Sequence, residues 1–386
     1  MNARLGIIGG GQLGLYLCEA AQSLGFEVSV ISETEDAPAL QRADKSFLGE
    51  IDSIETLDQF LESSDVIIFD KEAIPDHALT YLIEAEKQKR IAVRPHASII
   101  SMLKDKAQQK TWLCQQDLPT LPFHIISGNT TSLSALKEAL GQSLVQKVRC
   151  GGYDGRGVQI LKDVQSAHQL WDVPSIVEPY LPNCSEISII TARAESGEIQ
   201  TYPPVSMEFD PQLNAVSVVS MPAAISRHLG QEAIELAERA VTQMDGIGIF
   251  AIEMFITPEG KLLINEISPR VHNSGHLTQD ACNVSQFEQH VRAAMGLPLV
   301  TVRYKTPAAM LNILYTDAIR DSCPDKPGTE KLPGLDATVY WYGKLTGNIG
   351  RKMGHINAVA PTVEEAVGLA NRALAKLARQ VQEQVL

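Results

Sequence analysis

The start of the chain alternates strand, loop and helix in a way that few folds accommodate. Residues 4–8, Arg-Leu-Gly-Ile-Ile, predict a buried strand, residues 9–14 read Gly-Gly-Gly-Gln-Leu-Gly, and a helical pattern follows. Further strand-like apolar runs occupy 26–31 and 65–69. Strands separated by helices are typical of a parallel α/β sheet. The sequence therefore predicts an N-terminal parallel α/β domain over residues 1–100.

The glycine loop in this region is typical of a phosphate site. Gly9, Gly11 and Gly14 have the Gly-x-Gly-x-x-Gly spacing between a strand and a helix, which is the context of a dinucleotide-binding fingerprint. Glu33, just after the second strand, could accept from a ribose 2′-hydroxyl. The same loop suits any phosphate at a helix N-terminus. An NAD-dependent oxidoreductase and a protein that binds a simple sugar phosphate both stay open.

Composition and charge narrow the class of protein. With 386 residues the chain is expected to form two or three domains, and its formal net charge of −13 argues against binding a nucleic-acid backbone. The six cysteines are scattered without a Cys-x-x-Cys pair, which favours neither a zinc site nor a disulfide framework. We expect no secretory leader, and no apolar run approaches the roughly 20 residues that span a bilayer. We expect a cytoplasmic protein that binds no membrane.

A second glycine-rich loop lies between two strand-like runs. Residues 147–157 read Lys-Val-Arg-Cys-Gly-Gly-Tyr-Asp-Gly-Arg-Gly. Glycine permits positive φ and close approach of the backbone to a ligand, while Lys147, Arg149 and Arg156 supply positive charge for a polyphosphate. The order of a Walker loop is absent. We predict a lid whose amides cover phosphates; the alternative is a tight hairpin whose glycines serve turn geometry alone.

Two carboxylates in the region 253–276 constrain the chemistry. Two apolar runs flank a Pro-Glu-Gly turn, which is a hairpin signal. If the loop consists of residues 259–260, Glu253 lies directly opposite Glu266, with Cβ atoms about 5 Å apart. Two acids held that way are expected to share a hard cation or a proton. The alternative is an exposed hairpin whose acids face water.

The stretch that follows this hairpin is dense in polar groups. Arg270 is a permanent cation suited to phosphate or carboxylate, and His272, Asn273, Ser274 and His276 come directly after it. A lysine-bearing strand, a glycine lid and a pair of carboxylates are together what phosphoryl transfer from Mg-ATP requires. Cations position the γ-phosphate, and the metal bridges the β- and γ-oxygens.

With these residues in place, the chain resembles the ATP-grasp superfamily and, more closely, the 5-(carboxyamino)imidazole ribonucleotide synthase family, the ATP-dependent carboxylases of purine synthesis. The resembling blocks run along the whole chain. They are GGGQLG at 9–14, VRP at 93–95, GGYDGRG at 151–157, EPYL at 178–181, NEISPRVHNSGH at 265–276, SQFEQH at 285–290 and GRKMGH at 350–355. The third and the fifth are the specific ones.

The resemblance implies a three-domain α/β fold whose grasp domains are α+β. We expect a Rossmann-like parallel sheet at 1–100, a small lid domain at 101–174, a large antiparallel-sheet domain with the metal site at 175–300, and a C-terminal subdomain at 301–386. ATP is expected between the lid domain and the large domain. A homodimer is also implied.

For ATP, the resemblance implies phosphate contacts from Arg94 and Lys147 and a ribose contact from Glu186. The lid is expected to be Gly152, Tyr153, Asp154, Gly155, Arg156 and Gly157, and the hinge that reads adenine Glu178, Pro179, Tyr180 and Leu181. Glu253 and Glu266 are expected to hold Mg²⁺, or Mn²⁺ in its place, with Asn265 beside them.

The implied reaction is carboxylation of the amine of 5-aminoimidazole ribonucleotide, with ATP and bicarbonate as co-substrates and carboxyphosphate as intermediate. Arg270 is expected to stabilise the charge of carboxyphosphate. Facing the ring and the carboxyl donor we expect Tyr153, Asp154, Arg156, His272, Asn273, Ser274 and His276. At the ribonucleotide, mainly its 5′-phosphate, we expect Gly11, Gln12, Leu13, Glu72, Arg351, Lys352 and His355.

The chain departs from the family pattern at a few positions, and rival families fit it less well. Leu15 stands where the family often has arginine, Lys71 and Ala73 interrupt a block usually written E-F-E-N, and Phe209 replaces a frequent histidine. Formate-dependent glycinamide ribonucleotide transformylases tend to have Pro-Arg-x-His-Asp-Thr-Gly, whereas this chain has Asn-Ser in place of Asp-Thr. An NAD oxidoreductase would leave the second glycine loop and the carboxylate pair without a role.

Overall fold

The strands form three sheets in chain order. The computed structural model describes residues 3–128, 132–152, 157–161, 170–210, 215–316, 319, 323–345, 347 and 349–384. One sheet is parallel and the other two are antiparallel. This mixed architecture confirms the predicted α/β fold class.

The first sheet is parallel and lies at the N-terminus. Its order is β3-β2-β1-β4-β5, which puts β1 at the centre. The strands are β1 (Arg4–Ile8), β2 (Glu27–Ser32), β3 (Lys45–Leu48), β4 (Val66–Phe69) and β5 (Ala92–Val93), and the helices are α1 (Gln12–Ser23), α2 (Ile54–Glu62) and α3 (Asp76–Lys87). The central strands are buried almost throughout, as expected for a sheet with both faces covered.

Two helices and a small antiparallel sheet come next. The elements are α4 (Ala97–Leu103), α5 (Lys106–Gln115), β6 (His124–Ile126), α6 (Leu133–Leu140), β7 (Leu144–Val148), β8 (Val158–Leu161) and β9 (Ser175–Pro179), and the strand order is β6-β9-β7-β8. The helices α4 and α5 are separate, because the Asp105 side chain accepts from the backbone N–H of Ala107 at 2.9 Å and caps the start of α5.

The largest sheet has ten antiparallel strands. They are β10 (Ser185–Arg193), β11 (Ile199–Thr201), β12 (Val205–Asp210), β13 (Ala215–Met221), β14 (Gly248–Ile256), β15 (Leu262–Ser268), β16 (Ala308–Leu314), β17 (Pro327–Lys331), β18 (Ala337–Tyr342) and β19 (Lys352–Val359). Four helices accompany them: α7 (Arg227–Met244), α8 (Thr278–Ala281), α9 (Gln286–Ala294) and α10 (Val363–Gln384). The order is β15-β14-β10-β12-β13-β16-β19-β18-β17, with β11 beside β10.

A shared apolar core joins the first sheet to the largest one. Tyr16 on α1 packs against Phe287 on α9, with ring centroids 5.1 Å apart, and against Tyr340 on β18 at 6.0 Å. The same cluster contains Leu5 of β1 and Ile190 of β10. The glycine loop before α1 is therefore fixed against the large sheet. In the described part of the chain, no helix has the length and apolar character needed to cross a bilayer.

A buried histidine makes the stability of this core depend on pH. His290 on α9 is fully buried, and its Nδ1 accepts from the backbone N–H of Ile249 at 2.8 Å. Burial lowers the pKa of His290 to about 3. Because an unfolded histidine titrates near 6.5, the unfolded chain takes up the proton first, and stability is lost as the pH falls below about 6.5.

Chemical denaturation at about pH 7.5 and about pH 5.5 checks this expectation. In His290→Gln, the loss of unfolding free energy between the two pH values should be smaller than in the wild type by about 1.4 kcal/mol. His228→Gln is the matched control, because the His228 side chain is 85% exposed, and it should keep the wild-type loss. The same pH dependence in wild type and His290→Gln would contradict the prediction.

Candidate active site

A cavity of about 300 Å³ lies between the small sheet and the large sheet. Strands β7, β8 and β9 contribute one side, and β10, β14 and β15 contribute the other. The predicted residues that line it are Glu72, Lys147, Gly152, Glu178, Pro179, Tyr180, Leu181, Glu186, Glu253, Asn265, Glu266, Arg270, His272, Asn273 and Lys352. Apolar side chains, among them Val145, Ile160 and Phe255, lie beside these charged groups. This combination suits an aromatic ring next to phosphates.

The hairpin of β14 and β15 places Glu253 directly opposite Glu266, as predicted. The predicted two-residue loop is wrong. The loop spans residues 258–260, with Gly260 at φ +81°, and pairing is regular from there until it skips Asn265. The skipped residue is a β-bulge, and it compensates for the odd loop length. Because of the bulge, Asn265 and Glu266 both line the cavity although they are adjacent in sequence.

The two opposed carboxylates have different partners. Glu266 Oε1 lies 2.7 Å from Lys106 Nζ, and Glu253 Oε1 lies 3.4 Å from His272 Nε2. Burial, together with the charge of Glu266, raises the pKa of Glu253 to about 8. Burial also opposes ionisation of Glu266, but the Lys106 ammonium outweighs it and lowers the pKa of Glu266. The Glu253 carboxylate is thus the one that a bound cation would keep ionised.

The carboxylate pair fits a magnesium ion. Among the described residues there is no group of three or more histidine, cysteine or acidic side chains that could enclose a metal. Mg²⁺ does not need such a group, because it binds one or two protein carboxylates and completes its shell with water and substrate phosphates. Glu253 and Glu266 offer that ligand set at the wall of the cavity.

Lys147 on β7 is held by groups from both sheets. Its Nζ lies 2.7 Å from Glu178 Oε2 on β9 and 2.8 Å from Asn265 Oδ1 on β15. The other oxygen of Glu178 lies 2.5 Å from Lys110 Nζ. Burial alone would raise the pKa of Glu178, but the two ammonium groups lower it to about 2. The Glu178 side chain is therefore a charged anchor for Lys147, in addition to the place in the adenine hinge that was predicted for Glu178.

Glu186 lies near this group, on the neighbouring strand β10. Its carboxylate lines the cavity, and burial raises its pKa to about 7. The side chain of Phe209, where the sequence departs from the family pattern, also lines the cavity. The position of Glu186 at the cavity wall favours the predicted contact with the ribose, which stays a prediction.

Arg270 and His272 follow β15 and line the cavity. Arg270 Nε forms an ion pair with Glu72 Oε1 at 3.1 Å. The backbone N–H of Ser274 donates to His272 Nδ1 at 3.3 Å, so the proton of the neutral ring is on Nε2, which faces Glu253. Ser274 itself is buried, and its hydroxyl lies 2.8 Å from Ser188 Oγ. In this structure Ser274 supports the His272 ring, and its predicted contact with a ligand stays a prediction.

Asn273 is different from its neighbours. Its amide oxygen and nitrogen are buried without a hydrogen-bond partner in the described part of the chain, and the residue lines the cavity. Buried polar atoms are nearly always paired. A ligand in the cavity is a suitable partner for this amide.

A second polar cluster lies where the first sheet meets the large sheet. Lys344 Nζ donates to Gln12 Oε1 at 3.0 Å and to the Lys352 carbonyl at 2.8 Å. Arg351 Nη1 lies 2.9 Å from Asp36 Oδ2. Lys352 also lines the cavity. Lys344 thus contacts the start of α1, Lys352 links this cluster to the cavity, and Arg351 is paired with Asp36.

Comparison with known proteins decides between the open alternatives. Residues 1–104 match the ribonucleotide synthetase preATP-grasp domain, residues 111–287 the ATP-grasp domain, and residues 308–367 the phosphoribosylaminoimidazole carboxylase C-terminal domain. The N5-carboxyaminoimidazole ribonucleotide synthase of Synechococcus elongatus is 38% identical over 359 residues, which are 91% of this chain and 88% of that protein. The chain belongs to the N5-carboxyaminoimidazole ribonucleotide synthase family. It is an ATP-dependent ligase.

Solved structures of this family have the same fold. The synthetase from Thermotoga maritima superposes with a TM-score of 0.84 at 33% identity and covers 97% of this chain and 98% of its own. The synthase from Aspergillus clavatus, solved in complex with ADP and 5-aminoimidazole ribonucleotide, gives 0.85 at 29% identity and covers 98% and 99%. These similarities confirm the resemblance seen in the sequence.

In this member of the synthase family, the first glycine loop binds a side-chain carboxylate of the protein itself. Asp70 Oδ2 accepts from the backbone N–H groups of Gly11 at 2.6 Å and Gly14 at 3.3 Å. A Cβ at Gly9 would lie 1.6 Å from Asp70 Oδ1, so the close approach requires glycine. Glu33 Oε2 forms an ion pair with Lys71 Nζ at 2.6 Å, whereas a dinucleotide site would use this carboxylate for the ribose hydroxyl. The amides that a dinucleotide pyrophosphate would need are occupied, and the oxidoreductase alternative is wrong.

Several other predicted residues do not reach the cavity. Arg94 lies in a separate surface depression, with Nη2 3.4 Å from Glu195 Oε1. His276 and His355 are fully buried and stacked on each other at 4.2 Å, and burial lowers the pKa of both. Their burial in the core disfavours the contact with the carboxyl donor predicted for His276 and the phosphate contact predicted for His355, and both contacts stay predictions. Leu13 is likewise in the core, which leaves only its backbone for a ligand.

The second glycine loop is described in part. Gly152 lines the cavity, and Gly157 has φ +80° with no room for a side chain, since a Cβ would lie 2.4 Å from Val148 Cγ2. Arg149, predicted to attract polyphosphate, instead pairs with Asp105 at 2.5 Å. The predicted contacts of Tyr153, Asp154, Gly155 and Arg156 lie outside the described residues.

Three lysines at the site were missing from the sequence prediction. Lys106 and Lys110 are four residues apart on α5 and therefore share one face of the helix, which is a signal that the sequence does contain. Lys344 lies outside the 350–355 block and has no such signal. The helix α5 is held against β15 by Gln109, whose Oε1 accepts from the backbone N–H of Ile267 at 2.8 Å. This contact brings both lysines to the acidic hairpin.

Proposed function

We propose that this enzyme carboxylates the amine of 5-aminoimidazole ribonucleotide, using ATP and bicarbonate, and so serves purine biosynthesis. One observation carries the proposal. A single cavity joins cations and carboxylates suited to Mg-ATP, namely Lys147, Glu253 and Glu266, to Arg270 and to Lys352 of the second polar cluster. The Aspergillus clavatus relative solved with ADP and 5-aminoimidazole ribonucleotide supports it.

Different side chains have different roles in the proposed phosphorylation of bicarbonate. An oxygen of bicarbonate attacks the γ-phosphorus, the bond to the ADP oxygen breaks, and carboxyphosphate forms. Lys147 would hold the phosphates in line for this attack, with Lys106 adding positive charge beside Glu266. Arg270, fixed by Glu72, would stabilise the charge on carboxyphosphate. Preorganised ion pairs of this kind favour the transition state because they need no rearrangement.

The second proposed step forms the carbon–nitrogen bond. The amine nitrogen attacks the carboxyl carbon, either of carboxyphosphate or of CO2 released from it; phosphate leaves and takes up the proton that the amine gives up. The free amide of Asn273 and the Nε2–H of His272 lie at the cavity wall to orient the carboxyl group. Hydrogen bonds of fixed direction restrict the carboxyl group to geometries that the amine can attack.

Magnesium is proposed as the resident cofactor, with Mn²⁺ as a substitute. Glu253 and Glu266 would hold it, and Asn265 lies beside them. When bound, the ion would neutralise phosphate charge. The proximity of two like charges in the hairpin supports this assignment.

The second polar cluster is proposed to bind the 5′-phosphate. Replacing Arg351 with alanine should raise KM for the ribonucleotide on the order of tenfold, the loss of one charge-assisted contact. KM for ATP should change less than about twofold, because Arg351 pairs with Asp36 and neither residue lines the cavity beside Lys147 and the two carboxylates. Arg372→Ala on the exposed face of α10 is the control. Equal increases in KM for the ribonucleotide and for ATP would contradict the contact between Arg351 and the 5′-phosphate.

ADP release tests the proposed activity. We expect bicarbonate-dependent ADP formation that 5-aminoimidazole ribonucleotide stimulates. Glycinamide ribonucleotide with formate should give none, because the chain lacks the Asp-Thr pair of the rival family. Activity with formate, or no response to 5-aminoimidazole ribonucleotide, would refute the proposal.

We further propose a homodimer that works in the cytoplasm. Support comes from the family resemblance and from the scattered cysteines, which suit a reducing compartment. Sedimentation equilibrium of the full chain at micromolar concentration distinguishes a dimer from a monomer.

A further inference from the structure

Lys110 is a charged side chain that the reaction described above leaves without a role. It is 2% exposed, and its Nζ has two partners, Glu178 Oε1 at 2.5 Å and Thr120 Oγ1 at 2.7 Å. Glu178 is 1% exposed. Buried ion pairs contribute little net stability, because apolar residues of similar volume often serve as well. Stability alone therefore does not account for an ammonium group at this position.

Both contacts of Lys110 lead to Lys147. On one side, Glu178 uses its second oxygen to hold Lys147 Nζ at 2.7 Å. On the other side, the Thr120 hydroxyl donates to the carbonyl of Ile264 at 2.7 Å, immediately before the bulge.

The bulge residue itself completes the second path. Asn265 Oδ1 accepts from Lys147 Nζ at 2.8 Å. The backbone at the bulge is fixed from the same side by the N–H of Ile264, which donates to the Pro119 carbonyl at 2.7 Å. The two groups that hold Lys147 are thus both held, directly or through Thr120, by Lys110.

The charges explain why a second cation is needed there. Glu178 carries one negative charge, and Lys110 and Lys147 share it. Without Lys110, Lys147 would be the one cation among the described side chains that pairs with the Glu178 carboxylate. Glu178 would then hold Lys147 strongly, since an unpaired buried charge is costly. With Lys110 present, its ammonium group neutralises part of the charge of Glu178. Glu178 then holds Lys147 less strongly, and Lys147 can approach another anion.

We propose that Lys110 is a positioning residue for the nucleotide, which fixes Glu178 and the bulge at Asn265 and so leaves the Lys147 ammonium available to phosphate. The inference rests on the proposed function in one respect, that Lys147 contacts the phosphates of ATP. It adds a residue that touches neither nucleotide nor ribonucleotide.

Calorimetric titration of the full chain with Mg-ADP tests the inference, together with steady-state kinetics. Lys110→Met keeps the length of the side chain and removes its charge. We expect Kd for ADP and KM for ATP to rise about tenfold or more, the loss expected when one charged contact is misplaced. KM for 5-aminoimidazole ribonucleotide should stay within about twofold, because the second polar cluster is untouched.

Two further variants sharpen the test. Thr120→Val keeps the ion pair but removes the link to Ile264, and should raise Kd for ADP by about threefold to fivefold. Lys261→Met, an exposed lysine on the turn of the acidic hairpin, should bind ADP like the wild type. If Lys110→Met does not fold, Thr120→Val decides, and unchanged ADP binding in it overturns the inference.

Two other results would overturn it as well. One is unchanged ADP affinity in a folded Lys110→Met. The other is a loss of thermal stability with equal increases in KM for every substrate, which would mean a structural role alone. ADP binding is measured without ribonucleotide or bicarbonate, so a failure of the carboxylation assay with the expected Lys110 effect intact would count against the proposed function and leave this inference standing.

Discussion

Glu266→Gln is expected to lower kcat on the order of 10³-fold while the protein stays folded. The change removes one of the two carboxylates proposed to hold Mg²⁺ and takes away the partner of Lys106, 2.7 Å away. The amide is nearly isosteric, so packing is preserved, but it carries no charge for a hard cation. Coupled ADP-release kinetics at saturating Mg²⁺ measure the loss.

Glu259→Gln is the matched control on the same hairpin. Glu259 lies in the turn and is exposed, so its loss should change kcat by less than about twofold. Near-normal turnover in Glu266→Gln would refute the metal-ligand role. An equal loss in Glu259→Gln would show that the hairpin as a whole, rather than the cavity carboxylate, is sensitive.

Arg270→Lys is expected to lower kcat by about 10²-fold to 10³-fold, with a smaller change in KM for ATP. The guanidinium pairs with Glu72 through Nε and donates from Nη1 to the Val271 carbonyl at 2.9 Å, and its other N–H groups form part of a rigid fork. A lysine ammonium cannot keep that ion pair and also meet two oxygens of carboxyphosphate. Steady-state kinetics with ATP and with bicarbonate varied in turn separate kcat from KM.

Arg94→Lys is the informative control for Arg270. The sequence predicted a phosphate contact for Arg94, but the structure places it in a separate depression beside Glu195. Its kinetics should lie within about twofold of the wild type. A large effect of Arg94→Lys with a small effect of Arg270→Lys would reverse the two assignments.

The acidic hairpin shows how far sequence reasoning reaches. The alternation of apolar residues and the turn signal are local, and they predicted that Glu253 and Glu266 oppose each other. The length of the loop was wrong by one residue, and the bulge at Asn265 compensated for it. A bulge depends on contacts from elsewhere in the chain, here the bridge between Thr120 and Ile264, and no pattern within the hairpin reveals it.

The histidines and lysines mark the limit of that reasoning. Within the run 272–276, the sequence could not distinguish His272, which lines the cavity, from His276, which stacks on His355 in the core. Lys106 and Lys110 come to the site because α5 packs on β15, a contact between residues about 158 positions apart. Local motifs predicted the chemistry and the overall fold. Which side chains point into the cavity depended on tertiary packing.

Isotope transfer from bicarbonate tests the central proposal most directly. With ATP, Mg²⁺, 5-aminoimidazole ribonucleotide and ¹³C-bicarbonate, we expect a ¹³C carbamate signal on the exocyclic amine of the product, formed in equal amount to ADP. Glu266→Gln should give neither product. ADP release without ¹³C on the ribonucleotide, or labelled ribonucleotide formed without ATP, would contradict the proposed reaction.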